Sequence, residues 1–154
     1  MYDHFASKRE LFIALLGEQA DALLGDVARG IAGAGPPEGR MRDTIDAFLL
    51  AVGERPFAAR VLLSPVPGDA AVLDAQREIA ERVNAALREL LGADLRRAGL
   101  QPASDRATAA VELIVSGLVG VARWWLEHRD LPREQLTAVA MGVLWDGLNA
   151  AAER

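Results

Sequence analysis

Apolar residues recur at three- and four-residue steps along almost the whole chain, the spacing that places them on one face of an α-helix. The pattern breaks where glycine and proline cluster, at residues 30–39, 53–56, 64–68, 99–102 and 129–132. Between the breaks it predicts helices near residues 7–30, 40–52, 56–63, 69–98, 104–128 and 132–152. We therefore expect an all-α fold, a bundle of about six helices.

The last two predicted helices are apolar on more than one side. From Ala107 to Ala122 the fifth is interrupted mainly by Thr108, Glu112 and Ser116. Such a helix is buried on all sides or crosses a membrane, and a span is disfavoured because Glu112 would lie inside it. We expect instead a two-fold homodimer built from these two helices. Its predicted interface residues are Val115, Leu118, Val119, Ala122, Leu136, Val139, Ala140, Val143, Leu144 and Gly147.

Composition narrows the class of protein. With 154 residues, 51% of them hydrophobic, the chain forms one domain with a real core. It contains no cysteine, which excludes disulfides and thiol chemistry and fits a cytoplasmic location. The net charge of −5 makes the chain a poor ligand for nucleic acid by itself, because phosphate binding needs a basic face.

Nothing in the sequence indicates an enzyme. The two histidines, His4 and His128, are far apart, and without cysteine a transition-metal site is improbable. The chain carries no nucleophile motif and no glycine loop of the kind that cradles phosphate. We therefore expect no cofactor, no metal and no catalytic activity.

A cavity for a small hydrophobic molecule is more plausible, because the second and fourth predicted helices have apolar faces with occasional polar groups. For each aliphatic candidate a plain core position is the simpler interpretation. Glu112 is open to three interpretations: it pairs with an arginine, faces the cavity, or lies at a subunit rim. The predicted ligand contacts are Phe48, Val52, Phe57, Arg60, Gln76, Val83, Asn84, Leu87, Glu112, Leu113, Ser116 and Trp124.

The first residues carry a distinctive motif. Ser7 and Glu10 form a capping box at a predicted helix start, and the cations Lys8 and Arg9 follow the cap. The segment resembles the junction after the recognition helix in TetR-family transcriptional repressors, where the usual pattern is Leu-Tyr-x-His-Phe-x-Ser-Lys-x-x-Leu. Met1 departs from that pattern, and the residues that match it are Tyr2, His4, Phe5, Ser7, Lys8 and Leu11.

This resemblance implies a domain organisation and a function. Residues 1–6 would be the remnant of a helix-turn-helix domain, and 7–154 the effector-binding and dimerisation domain. Tyr2, His4 and Lys8 would contact DNA, and operator binding would require the missing N-terminal domain. The implied activity is ligand-responsive repression of transcription. The alternative is an all-helical dimeric interaction module that binds neither effector nor DNA.

Overall fold

The computed structural model describes the backbone of residues 7–152, with side chains except those of Leu148, Ala151 and Ala152. Across these residues the fold is all-α, as predicted, with seven helices instead of about six. The predicted DNA contacts Tyr2 and His4 lie outside the described residues. The helices are α1 (Lys8–Ile31), α2 (Pro37–Glu54), α3 (Pro56–Leu63), α4 (Ala70–Leu90), α5 (Gly92–Arg97), α6 (Asp105–Glu127) and α7 (Arg133–Ala152).

The first helix begins where the capping box predicts. The Ser7 hydroxyl accepts a hydrogen bond from the backbone N–H of Glu10 at 3.3 Å, which satisfies one orphan donor of the first turn. Leu16, Ala20 and Ile31 form its buried side. The helix packs against both α2 and α4. It therefore joins the half of the bundle that contains α2 and α7 to the half that contains α4 and α5.

Proline sets the starts of the next two helices. Pro37 occupies the first turn of α2, where its missing N–H costs no hydrogen bond, so this helix begins three residues before the predicted Arg40. Pro56 starts α3 in the same way, and α3 has the predicted bounds.

The predicted fourth helix is two helices. Leu91 leaves the helical conformation with ψ near 4°, and Gly92, a weak helix former, starts the short α5. Gly99 ends α5 with φ +75°, a left-handed conformation that favours glycine, and the N–H of Leu100 bonds to Leu95 O at 2.8 Å. The break turns α5 towards the interior, where Leu95 is buried.

The sixth helix packs on α2, α3 and α4 by one side. By length and composition it could cross a membrane, yet one such helix among the described residues is weak evidence. One side of it carries the buried residues Ala107, Val111, Ala122, Trp125 and Leu126, which pack on other helices. Only 22% of its most apolar 18-residue stretch is buried, so the opposite side of the helix exposes apolar surface.

Two apolar clusters make up the core of the described residues. The first joins α2, α3, α7 and the C-terminal half of α6, around the fully buried Leu49. The second joins the end of α1 to α4, α5 and the N-terminal half of α6, around Val111. Asp46 ties α7 to α2 by accepting hydrogen bonds from Arg133 at 2.9 Å and Thr137 at 3.2 Å.

Helices α1 and α2 cross at very short distance. A Cβ added at Gly30 would lie 2.7 Å from the Thr44 Cα and 2.8 Å from its Oγ1, closer than real Cβ atoms approach. The nearest atom is backbone, so it cannot swing aside. Glycine at this position is therefore a condition of the crossing.

We expect Gly30→Ala to destabilise the chain by about 1–3 kcal/mol, since the added methyl group forces the two helices apart. Gly17→Ala is the matched control in the same helix, where a Cβ would meet nothing within 4 Å. It should stabilise the chain by about 0.5–1 kcal/mol through helix propensity. Urea unfolding measures both, and a Gly30→Ala protein as stable as the parent would contradict the crossing.

The N-terminal end of α4 is fastened by Asp69. Its carboxylate accepts hydrogen bonds from the backbone N–H groups of Ala71 at 3.1 Å and Val72 at 3.2 Å, and from Arg9 Nε at 2.9 Å. The hydrogen bond from Val72 is the main reason that the pKa of Asp69 is lowered from its ordinary 3.8, and the charge of Arg9 adds to it. One side chain thus caps α4 and holds the start of α1 against it.

A lowered folded-state pKa means that Asp69 contributes stability above its ordinary pKa and loses it as the pH falls through the folded value. Asp69→Asn keeps a capping oxygen and removes the charge. The difference in unfolding midpoint between the parent and Asp69→Asn should be largest at neutral pH and shrink below 3.8. A difference that stays constant across this acid range would rule out the charge as its cause.

Candidate functional site

A cavity of about 310 Å³ lies between the two apolar clusters. Its walls come from the C-terminal end of α1, from α2, from the end of α4, and from α5, α6 and α7. Its volume is at the lower end of the range of pockets that hold drug-sized molecules, about 300–1,000 Å³. The cavity therefore suits one small ligand.

Most of the cavity wall is hydrocarbon. Its deepest lining residues are the buried ones, and the exposed ones, Arg97 and Asn149, mark its mouth. Trp145 from α7 also lines it and is partly buried. The buried lining residues are Ile31, Ile45, Leu87, Leu95 and Val111.

Three charged residues, Arg40, Asp94 and Arg97, form one part of the lining, which we call the charged wall. Arg40 on α2 donates a hydrogen bond to Asp94 Oδ1 at 2.6 Å, and the Arg97 guanidinium on α5 forms an ion pair with the same oxygen at 3.1 Å. Arg40 also donates to the carbonyl of Ile31 at 3.2 Å, which satisfies one of the carbonyls at the end of α1. These contacts join α1, α2 and α5 around the cavity.

A wider groove of about 520 Å³ runs along the surface between α1 and α4. None of its lining residues is buried, and two of them, Asp21 and Glu89, are exposed carboxylates. An apolar ligand would remain largely in water there. The smaller, better buried cavity is the stronger candidate.

The predicted ligand contacts lie mostly outside this cavity. Leu87 lines it, and Val83 packs against the adjacent cluster. Phe48 and Val52 are buried in the other cluster as core residues. Phe57 and Leu113 point outwards, with 80% and 75% of their surface exposed.

Three of the predicted polar contacts form a cluster of their own. The Glu112 carboxylate accepts hydrogen bonds from the Asn84 amide and, at 3.1 Å, from the Ser116 hydroxyl. Glu112 is exposed and does not line the cavity, and its hydrogen-bond partners are Asn84 and Ser116 instead of an arginine, so a position at a subunit rim stays a prediction. The Oδ1 atom of Asn84 is buried without a hydrogen-bond partner.

The remaining predicted contacts have structural partners. Gln76 donates to Ser64 O at 3.1 Å and ties α4 to the loop before it. Arg60 donates to Leu126 O at 3.0 Å and links α3 to α6. Trp124 is 48% exposed, stacks on His128 at 4.4 Å between ring centroids and does not line the cavity, so the predicted ligand contact is not found in this cavity.

The predicted dimer residues fall into three groups. Val139, Val143 and Gly147 are exposed on α7, and Val119 on α6 is partly exposed. Val115 and Leu118 line the cavity, and Leu144 packs on the first cluster. Ala122, Leu136 and Ala140 are buried inside the chain's own core, so the prediction that they lie at the dimer interface was wrong.

Sequence reasoning missed the charged wall. Arg40 and Asp94 are 54 positions apart, and no periodic pattern joins them. The sequence did contain a signal for α5, because Gly92, a weak helix former, follows Leu91 at the point where α4 ends and α5 begins. Had that break been recognised, the Asp94 and Arg97 pair, three positions apart on a short helix, would have been a candidate.

Neither the start of α1 nor the acidic side chains of the described residues offer a second site. Lys8, the first residue of α1, is exposed. Among the described residues, no group of three or more histidine, cysteine, aspartate or glutamate side chains is arranged to hold a metal ion. The site that remains is the apolar cavity with its charged wall.

Comparison with known proteins identifies the family. The family described as tetracyclin repressor-like, C-terminal domain, matches residues 31–154, which is more than half of the chain. A search of curated proteins finds no match. The matched region contains nearly all of the helices that form the cavity. The chain therefore belongs to the tetracycline repressor-like C-terminal domain family.

Proposed function

We propose that the chain is the regulatory part of a ligand-responsive transcriptional repressor, and that the effector binds in the cavity between the two apolar clusters. The observation that carries the proposal is the position of α1. Its C-terminal residues Val27 and Ile31 line the cavity, whereas its first turn holds the motif typical of the DNA-binding junction. Domains of this family are regulatory and in general not enzymes.

A single helix thus joins the effector site to the junction. A helix of 24 residues is about 36 Å long, so a small rotation at one end displaces the other end by several ångströms. The crossing of Gly30 and Thr44 supplies a pivot beside the cavity. A ligand that packs better against one orientation of α1 would shift the population towards it.

The contacts of α1 with α4 would oppose such a rotation. Arg9 pairs with Asp69 at 2.9 Å near the start of α1, and Asp21 pairs with Arg82 at 2.9 Å further along. Both pairs are largely exposed and each is individually weak. They would hold α1 in place without preventing its movement. A helix-turn-helix domain joined ahead of Ser7 would follow that movement, with Lys8 near its phosphate contacts.

We also propose a cytoplasmic homodimer formed by the outer faces of α6 and α7. Leu113, Val139 and Val143 are between 58% and 75% exposed on these faces, a large apolar surface for a single chain in water. Four glycines on the same two helices have open space where a Cβ would stand, which allows close packing of a second pair of helices: Gly117, Gly120, Gly142 and Gly147. The resulting interface would be a two-fold four-helix bundle.

The effector site is tested by filling it. Apolar small molecules at a hundredfold excess over their dissociation constants should stabilise the chain by about 2.7 kcal/mol. Ala110→Trp, which places an indole in the cavity wall, should abolish this thermal shift, and Val115→Phe offers a second blocking variant. Ala85→Trp, at an exposed position of α4, is the control and should leave the shift unchanged.

The regulatory role needs a second readout with the same compounds. With a helix-turn-helix domain joined ahead of Ser7, compounds that raise the melting temperature should release operator DNA. The same release should be lost in Ala110→Trp. Compounds that bind the cavity without changing operator affinity would contradict regulation and favour the interaction module.

The dimer is tested by a charge on its proposed surface. Val143→Glu should convert the dimer to monomer, because a desolvated, unpaired carboxylate costs several kcal/mol at an interface. Phe57→Glu is the matched control, since Phe57 is 80% exposed on α3, which is not one of the two helices of the proposed interface. Light scattering at micromolar concentration measures both. An unmodified chain that is monomeric under these conditions would overturn the proposal.

A further inference from the structure

The cavity carries an imbalance of charge. Its charged lining residues are Arg40, Asp94 and Arg97, two cations and one anion. The chain as a whole has a net charge of −5, so this local excess of one positive charge runs against the average. Both guanidinium groups converge on a single oxygen of Asp94. A second carboxylate at this point would balance the charges.

The excess positive charge has a larger effect because Arg40 and Asp94 are mostly shielded from water. The side chain of Arg40 is 17% exposed and that of Asp94 is 28% exposed, so their interactions are only partly screened by water. A guanidinium has five N–H donors and binds planar carboxylates with two parallel hydrogen bonds. Arg97 is 56% exposed at the mouth of the cavity and can turn from Asp94 towards an incoming anion.

The shape of the cavity separates this charge from the hydrocarbon. The charged wall lies at the mouth beside Arg97, whereas Ile45, Leu87 and Val111 form the buried interior. A molecule that fills both parts has an apolar body and an anionic end. An amine would place a cation beside two guanidinium groups, and a strongly polar anion would bury its polar groups against hydrocarbon without partners.

Resting on the proposed effector-binding function, we infer that the effector is an apolar monocarboxylic acid, such as a fatty acid or an arylalkanoic acid. Its carboxylate lies between Arg40 and Arg97 at the mouth. Its hydrocarbon body occupies the interior next to α1. Binding involves no covalent step, and Asp94 is the competitor that the carboxylate joins or displaces.

The test compares decanoate, decanol and decylamine, which share one hydrocarbon chain and differ in the charge of the head group. Isothermal titration calorimetry on the 154-residue chain, below micelle-forming concentrations, measures their affinities. We expect decanoate to bind about tenfold or more tightly than decanol, with decylamine weakest, because charge-assisted hydrogen bonds are the strong ones.

Two variants assign the effect to the charged wall. Arg97→Gln should reduce the affinity for decanoate towards that for decanol and leave decanol unchanged. The matched control is Arg77→Gln, since Arg77 pairs with Asp74 on α4 with the same spacing and the same 3.1 Å distance but outside the cavity. Asp94→Asn, which removes the competing carboxylate, should raise the affinity for decanoate.

The outcomes separate this inference from the function on which it rests. If decanol binds as tightly as decanoate and Ala110→Trp blocks it, the acid inference is overturned and the effector site stands. If Arg97→Gln and Arg77→Gln have equal effects on decanoate, the charged wall is not the binding point and the inference is overturned. If none of the three compounds binds, the acid inference is overturned, and the effector site is judged separately by the thermal shifts of other apolar molecules and their loss in Ala110→Trp.

Discussion

The close crossing of α1 and α2 at Gly30 and Thr44 is the contact on which the arrangement of the described helices depends. Through α1 it reaches α4, which packs on α1 and contacts it through the pairs Arg9–Asp69 and Asp21–Arg82. Through α2 it fixes α7, which is held by Asp46. The two halves of the bundle therefore meet at a point that tolerates no Cβ on one side.

The cavity follows from the same constraint. Around Leu49 and around Val111 the apolar side chains pack into separate clusters, and the helices that carry them are held at the crossing. Between the clusters lie side chains from both, such as Met41 and Leu91, that do not close the gap. A void of this kind costs dispersion energy, which a ligand that fills it would restore. The partly open wall at Arg97 gives that ligand a way in.

The sequence predicts the helices well because their signals are local. Ser7 and Glu10 mark the start of α1, Pro56 marks α3, and Gly99 ends α5 with the left-handed conformation that glycine adopts most easily. The bend at Leu91 was missed because the apolar stripe of α4 continues through it. The spacing of apolar residues indicates which face of a helix is buried, but it does not indicate where the helix axis changes direction.

The site is less predictable because it depends on which faces meet. Phe48 and Leu87 are both apolar, both on predicted inner faces, and both buried, yet only Leu87 lines the cavity. Nothing in their local sequence separates them. The charged wall brings together α2 and α5, and that juxtaposition is set by the crossing of other helices. Conversely, Val139 and Val143 are apolar and exposed as a double-faced helix requires, because α7 needs only one face for α2.

The short helix α5 has a consequence for how such a protein diversifies. It supplies Asp94, Leu95 and Arg97 to the cavity and is bounded by the turn at Leu91 and by Gly99. The proposed dimer surface and the start of α1 lie on other helices. Within α5, Leu95 belongs to the second apolar cluster and has to stay apolar, whereas a substitution at the exposed Arg97 would alter the charge of the cavity with little effect on the core. In the proposed function, this separates the residue that would set ligand preference from the surfaces that would form the dimer and carry the signal. A variant that exchanges this six-residue segment would therefore change the proposed ligand site and leave the proposed dimer surface on α6 and α7 as it is.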